Sequence, residues 1–247
     1  MLLETVNLVK NFGGVQAVSH VDLQIEQGEM SSIIGPNGAG KTTLFSLIVG
    51  HIKNDSGNIF FKGEDITGLA PHQIARKGIS RTFQKANILP GLTVFENVQL
   101  AVLCAHGKSL TFYSLAGNKF GDEVFAILDD VGLSNEAGKL ASALALGDRK
   151  RLEIGIALGT SPELLLLDEP TSGVSPSEAK SIITFISSLA SKKGLTVLFI
   201  EHDMGVVLKF SNKIRVMHQG RIITSGKPAE VSNNPEVQKI YLGEEAE

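Results

Sequence analysis

The sequence has a single cysteine, Cys104, so no internal disulfide can form and a reducing cytosol is permitted. No run reaches the roughly 18 apolar residues that a bilayer-spanning helix needs, so any membrane role has to come through a partner. The start, Met1-Leu2-Leu3-Glu4-Thr5, lacks a basic region and a long apolar stretch, and no secretory signal is expected. An excess of positive charge is missing too: the net charge of −3 gives no electrostatic case for nucleic-acid binding. There is no internal repeat, heptad array or low-complexity segment. What is present is an ordinary globular composition. The 247 residues, 43% hydrophobic and 20% charged, suffice for one well-buried core, or one core carrying an inserted subdomain.

Against that background one stretch stands out, Gly35-Pro36-Asn37-Gly38-Ala39-Gly40-Lys41-Thr42-Thr43, which fits the phosphate-loop pattern G-x-x-x-x-G-K-[ST]. Met30 to Ile34 before it reads as a short buried strand, and Thr43 to Gly50 after it is apolar at helical spacing and closed by a glycine. Strand, glycine-rich turn and helix are the context the pattern requires. Glycines let successive backbone N–H groups face phosphate oxygens, and the helix opening near Lys41 adds its positive end. Lys41 is placed to reach the β- and γ-phosphates, and the Thr42 hydroxyl to sit on Mg²⁺.

The chain opens with two expected strands, Leu2–Val9 and Val18–Ile25, about the turn Phe12-Gly13-Gly14. Phe12 is either an aromatic on which a base stacks or a turn-packing side chain. Asn58–Gly63 reads as a strand, Pro71–Lys77 as a helix opened by proline, and Gly78–Gln84 as a strand. Gln84, at that strand's end, is either a ligand for Mg²⁺ or the attacking water, or a solvated amide. From about Lys85 to Glu163 the pattern turns helical: Thr93–Cys104 with a Thr93/Glu96 capping box, Asp122–Val131, and Arg149–Gly159, with Lys108–Gly121 as a loop or broken helix. Leu164–Leu167 and Thr196–Ile200 are fully apolar, as in central parallel strands covered on both faces, with a helix over Ser177–Leu189 between them. A hairpin turning at Gln219-Gly220 and a short helix over Pro228–Val231 follow, and the acidic end is expected to fray.

The chemistry-bearing residues gather where apolar strands stop. Asp168 and Glu169 end one, where open parallel sheets place ligands. Asp168 suits a Mg²⁺ site and Glu169 a water-polarising role, unless the pair serves only as surface salt bridges. His202 ends the other apolar strand, where it contacts a γ-phosphate or is merely structural. Leu144 to Ile154 reads as a turn opening a helix. Gly147 there brings backbone close to an anion, whereas Asp148 to Arg151 alone is an ordinary charged helix start.

Taken together these residues resemble the nucleotide-binding subunits of ABC transporters, over nearly the whole chain. Gly35–Thr43 matches Walker A, Gln84 the Q-loop, Leu164–Glu169 Walker B with its catalytic glutamate, His202 the switch histidine, and Phe12 the adenine-stacking aromatic. Ala145, Leu146, Gly147 and Asp148 fall on the L-S-G-G-Q signature. Arg81-Thr82-Phe83-Gln84, Gly147 to Ile154, Ile200-Glu201-His202-Asp203-Met204 and Tyr241-Leu242-Gly243-Glu244 are similar to the branched-chain amino acid importer branch, with urea and short-chain amide importers close by. The resemblance implies an α/β P-loop NTPase (RecA-like) core with an antiparallel β-subdomain, residues 1–84 and 164–247, and a helical subdomain inserted over 85–163. It implies ATP and Mg²⁺ as ligands, the metal on Thr42, Gln84 and Asp168. Hydrolysis would fall to Glu169, His202 and Lys41, in a head-to-tail homo- or heterodimer that sandwiches two ATP molecules. It further implies multispan permease partners docking near Gln84 to Asn97, a periplasmic or extracellular substrate-binding protein acting indirectly, and a peripheral place on the cytoplasmic face of the cell membrane. Exporters, and ABC ATPases that work on DNA or ribosomes, are rival readings; the latter usually carry coiled coils or two cassettes, which this chain lacks. Two stretches depart from the family pattern: in the signature Ala145 and Asp148 replace the serine and glutamine, and after Walker B Ser175 replaces an aspartate or asparagine.

Overall fold

The computed structural model describes residues 1–82, 88–107 and 120–244, with side chains through residue 240. The apolar alternation at the start produces a hairpin, β1 (Leu3–Phe12) and β2 (Val15–Ile25), paired antiparallel about Gly13–Gly14. β3 (Met30–Ile34) follows, then helix α1 (Lys41–Ile48). β4 (Ser56–Phe61) and β5 (Glu64–Asp65) return to the hairpin and complete a four-stranded antiparallel sheet in the order β2-β1-β4-β5. α2 (Pro71–Lys77) begins at the expected proline and stops at Gly78, whose φ of 105° a side chain would resist. β6 (Ile79–Arg81) comes next.

Three helices then pack on one another: α3 (Val94–Ala105), α4 (Gly121–Val131) and α5 (Leu146–Leu158). The Thr93/Glu96 capping box opens α3 as expected. Val98, Val102, Val124, Leu128, Val131 and Leu152 meet in the buried space between the three. α5 starts at Leu146, three residues earlier than Arg149. The Arg149 side chain folds back instead, its Nε donating to Leu144 O (2.9 Å) and its Nη2 to Ser142 O (2.6 Å).

The second half supplies β7 (Leu164–Asp168), α6 (Pro176–Lys193), β8 (Thr196–Ile200), α7 (Met204–Phe210), β9 (Lys213–His218), β10 (Arg221–Gly226), α8 (Pro228–Ser232) and α9 (Pro235–Glu244). They close a six-stranded sheet, β10-β9-β3-β8-β7-β6, parallel except for β10 at its edge. Every residue of β3, β7 and β8 is buried. Leu165 and Leu167 join the core beneath the helices, whereas Leu164 and Leu166 join the core shared with α1 and the antiparallel sheet. That two-sided demand is why these strands read as unbroken apolar runs; each buried leucine stabilises by about 1.5–3 kcal/mol.

Two helices were not legible beforehand, α7 and α9. α7 is only seven residues long, and Asp203 is its N-cap, accepting from the N–H groups of Gly205 (2.8 Å) and Val206 (3.2 Å). The readings of Gln84, of most of the Lys108–Gly121 stretch and of the last three residues lie outside the described residues.

The helical trio is tied to the parallel sheet's helices by charge. Asp130 at the end of α4 accepts from Lys192 (2.8 Å) and Lys193 (2.6 Å) at the end of α6. Burial opposes ionisation of Asp130, but the two lysines more than offset it and hold its carboxyl below the usual range. Asp130→Asn is expected to lower unfolding stability by about 0.5–1 kcal/mol at neutral pH. Because the depressed pKa belongs to the folded state, the difference from wild type should fade as pH falls through it. Urea unfolding of both proteins across the acid range checks this.

Candidate active site

Parallel pairing brings three loops to one edge of the sheet. β8 lies between β3 and β7, with Ile33 opposite Ile200 and Asp168 opposite Ile200. The phosphate-loop stretch, the Asp168-Glu169 pair and His202 therefore emerge side by side.

The loop itself is pressed onto the strands behind it. A Cβ at Gly35 would lie 1.9 Å from Met217 O, and one at Gly40 2.1 Å from Ala17 O. Gly40, at φ 99°, is also the N-cap of α1, whose first turn has no side-chain cap, so its amides face the loop's concavity. Lys41 is buried, and its ammonium donates to Gly35 O (2.6 Å) and Pro36 O (2.8 Å). Thr42 Oγ1 donates to Asp168 Oδ1 at 3.5 Å.

Asp168 is 1% exposed, and its other oxygen is held by a residue that sequence reasoning left as an ordinary strand position. Arg81 Nη2 donates to Asp168 Oδ2 (2.6 Å) and its Nη1 to Ser46 Oγ (2.8 Å), with the guanidinium 5.7 Å from the centre of the Phe45 ring. Ser46 in turn donates to Thr42 O (2.7 Å). An arginine inside the Gly78–Gln84 strand was the available signal. The free lone pairs of Asp168 Oδ1 and the Thr42 hydroxyl are hard oxygen donors, a set that suits a magnesium ion completing its shell with water and phosphate.

Glu169 has a left-handed backbone (φ 50°) that points its side chain across to the next strand. Its Oε1 lies 3.0 Å from His202 Nε2. A carboxylate only accepts, so Nε2 carries the hydrogen in this arrangement. Behind the pair, Glu201 is 4% exposed and accepts from Thr171 N (2.9 Å) and Thr171 Oγ1 (2.6 Å). Burial pushes its carboxyl pKa up.

The other predicted residues are more dispersed. Phe12 ends β1, 49% exposed, with Lys10 Nζ 5.5 Å from its ring centre. Among the described residues, no hydrogen bond ties Ala145, Leu146, Gly147 or Asp148 to the phosphate loop; their neighbours are Gly173 and Glu178 of the same chain. Ala145 is the N-cap of α5, with cap-like φ and ψ (−62°, 159°) but no side-chain bond. Ser175 is the N-cap of α6, accepting from Glu178 N while Glu178 Oε2 accepts from Ser175 N (3.0 Å). The replacement at Ser175 is thus a helix start.

Set against known proteins, the family model described as ABC transporter matches residues 18–172. This chain belongs to the ABC transporter family. A second model, for branched-chain amino acid ATP-binding cassette transporters, matches residues 221–247 of the cassette. The cassette is 40% identical over 250 residues to the high-affinity branched-chain amino acid transport ATP-binding protein LivG of Salmonella typhi, covering 98% of each chain. It superposes on the ADP conformation of an ATP-binding cassette of an ABC transporter with a TM-score of 0.88, at 36% identity and 98% coverage of both. A dimeric bacterial ABC transporter cassette gives a TM-score of 0.78 at 26% identity, over 92% of this chain and 99% of that one.

Two outcomes follow from the loop and signature geometry of this cassette. Lys41→Ala is expected to weaken ATP binding by about tenfold to a hundredfold, the worth of one charge-assisted contact, and an unchanged affinity in a fluorescent-nucleotide titration would remove Lys41 from the site. Ala145→Ser should stabilise the protein by about 0.5–2 kcal/mol, because the backbone already has cap geometry, and calorimetric melting reads it.

Proposed function

We propose that this chain is the ATP-binding and ATP-hydrolysing subunit of an importer for branched-chain amino acids. The observation that carries the catalytic part is the meeting of the phosphate loop, Asp168 and the 3.0 Å Glu169–His202 pair at one sheet edge. The substrate class is supported by the names of the relatives and by the family match over residues 221–247.

On this reading ATP stacks its base on Phe12 and lays its phosphates along the amides of Gly35 to Thr43, with Lys41 against the β- and γ-groups. Thr42, Asp168 and Gln84 would hold Mg²⁺, which supplies charge neutralisation at the phosphates when bound. Glu169 takes a proton from the water whose oxygen bonds to the γ-phosphorus as the bond to the β-bridging oxygen breaks and ADP leaves. His202, donating from Nε2, fixes the orientation of Glu169 and lies where a γ-phosphate would be sensed. The protein has to align the reacting atoms and neutralise the charge that develops on them.

The chain carries one phosphate loop and one signature stretch, so a second cassette, identical or different, would complete each site by presenting Ala145, Leu146, Gly147 and Asp148 across a head-to-tail interface. We assign residues 1–84 and 164–247 to the nucleotide-binding core and 85–163 to the helical part that docks the permease. Among the described residues no helix is long and apolar enough to cross a membrane. We assign the crossing to separate permease subunits, with the cassette peripheral on the cytoplasmic face and a substrate-binding protein acting indirectly.

Reconstitution with the cognate permease and binding protein tests the whole reading: leucine uptake should require ATP and this cassette. Transport of urea or short-chain amides without leucine would overturn the substrate class and leave the ATPase assignment standing. Glu169→Gln should still bind ATP but lose turnover by about a hundredfold or more, and near-wild-type ATPase activity in the assembled transporter would exclude Glu169 as the base.

A further inference from the structure

The left-handed backbone at Glu169 needs an explanation. A residue with a Cβ at φ 50° sits in a region costing about 1–2 kcal/mol, and such strain persists only where the surroundings over-determine it. Backbone bonds hold it on both sides, and a buried side chain braces the turn beyond it. On the entering side Glu169 N donates to Ile200 O (3.1 Å), and on the leaving side Ser172 N donates to Glu169 O (3.1 Å). The brace is the buried carboxylate of Glu201, whose Oε1 takes both the N–H and the hydroxyl of Thr171 while its Oε2 accepts from His202 N (3.3 Å).

We infer that Glu201 is a positioning residue for ATP hydrolysis: it clamps the turn after β7 to the end of β8, holding Glu169 in its left-handed conformation within reach of His202. The two residues that must meet follow different strands, and the Glu201 side chain is bonded within both turns at once. It is adjacent to His202 in sequence and bonded to the residue two beyond Glu169. Its three donors are all neutral, and among the described ion pairs none includes it. A carboxylate kept 4% exposed without a cation is a costly way to tie two turns if packing alone were needed. Burial, and to a lesser degree the nearby Glu169 charge, push its pKa up, as expected of a carboxylate placed for geometry.

The inference rests on Glu169 as the base, and the test separates the two. In the assembled transporter, Glu201→Ala and Thr171→Val should each lower kcat by about tenfold to a hundredfold while nucleotide affinity and KM stay at wild-type values. Thr171→Ser, which keeps the hydroxyl, should restore kcat. The Thr171→Val/Glu201→Ala double variant should be no slower than the slower single variant, and Glu201→Ala added to Glu169→Gln should leave the residual rate unchanged. Thr171→Val changes one atom group and covers the case in which Glu201→Ala fails to fold. Wild-type kcat in folded Glu201→Ala or Thr171→Val, or equal losses in affinity and kcat, would overturn the clamp. If Glu169→Gln itself turns over at the wild-type rate, the base assignment falls and takes this route with it. If Glu169→Gln is inactive and Glu201→Ala is not slowed, only the clamp falls.

Discussion

The parallel pairing of β3, β8 and β7 is the constraint on which the rest depends. Each strand is five residues long and buried throughout, and each alternates its side chains between two separate cores. A shift of one residue in either register would send Leu165 and Leu167 into the wrong core, so the register has little freedom. With the register set, the residues after Ile34, Asp168 and Ile200 have to emerge together. The site is therefore a consequence of where three hydrophobic strands run out.

Charge enters that edge in a controlled way. Asp168 and Arg81 form a pair with side chains 0% and 5% exposed, and Arg81 also reaches Ser46 and the Phe45 ring. One guanidinium thus joins β6, β7 and α1. Removing a single partner from such a pair typically costs about 3–5 kcal/mol, because the remaining charge is left buried. The pair divides the Asp168 carboxylate: Oδ2 belongs to the scaffold and Oδ1 faces Thr42. A carboxylate so anchored has one orientation to offer a metal and cannot rotate to bind it through both oxygens.

What could be read from the sequence were features written in adjacent residues. The glycine spacing of Gly35 to Gly40, the proline opening α2, the Thr93/Glu96 box and the apolar runs over Leu164–Leu167 and Thr196–Ile200 all act within one turn or one strand. Arg81 and Glu201 lie in stretches that resemble the importer branch but show no role there, because their partners are distant in sequence: 87 residues from Arg81 to Asp168, and 30 from Glu201 to Thr171. Nothing local marks a strand arginine as the counter-ion of a particular aspartate; the sheet order decides it. Ser175 shows the reverse case. Position by position it departs from the family pattern, and with Pro176 and Glu178 beside it the three residues spell a helix start.

The signature stretch carries the last step. Without a serine hydroxyl at Ala145, a phosphate approaching α5 from a partner cassette would meet the helix's own first-turn amides, free of any side-chain cap, and the bare backbone at Gly147. Asp148 lies in that same turn, where its charge stabilises the helix in the free subunit and opposes a triphosphate arriving end-on. Arg149 stands beside it, its guanidinium donating to Leu144 O and Ser142 O; these neutral acceptors leave its positive charge in place, so it offsets part of the Asp148 repulsion while holding the loop that leads into the helix. The specific attraction at this end of α5 is that of its oriented amides, which act only at contact distance. An interface built on them would be sensitive to how closely the two cassettes approach, and the exposed Leu146 beside Gly173 is the apolar surface at that tip which closure would bury.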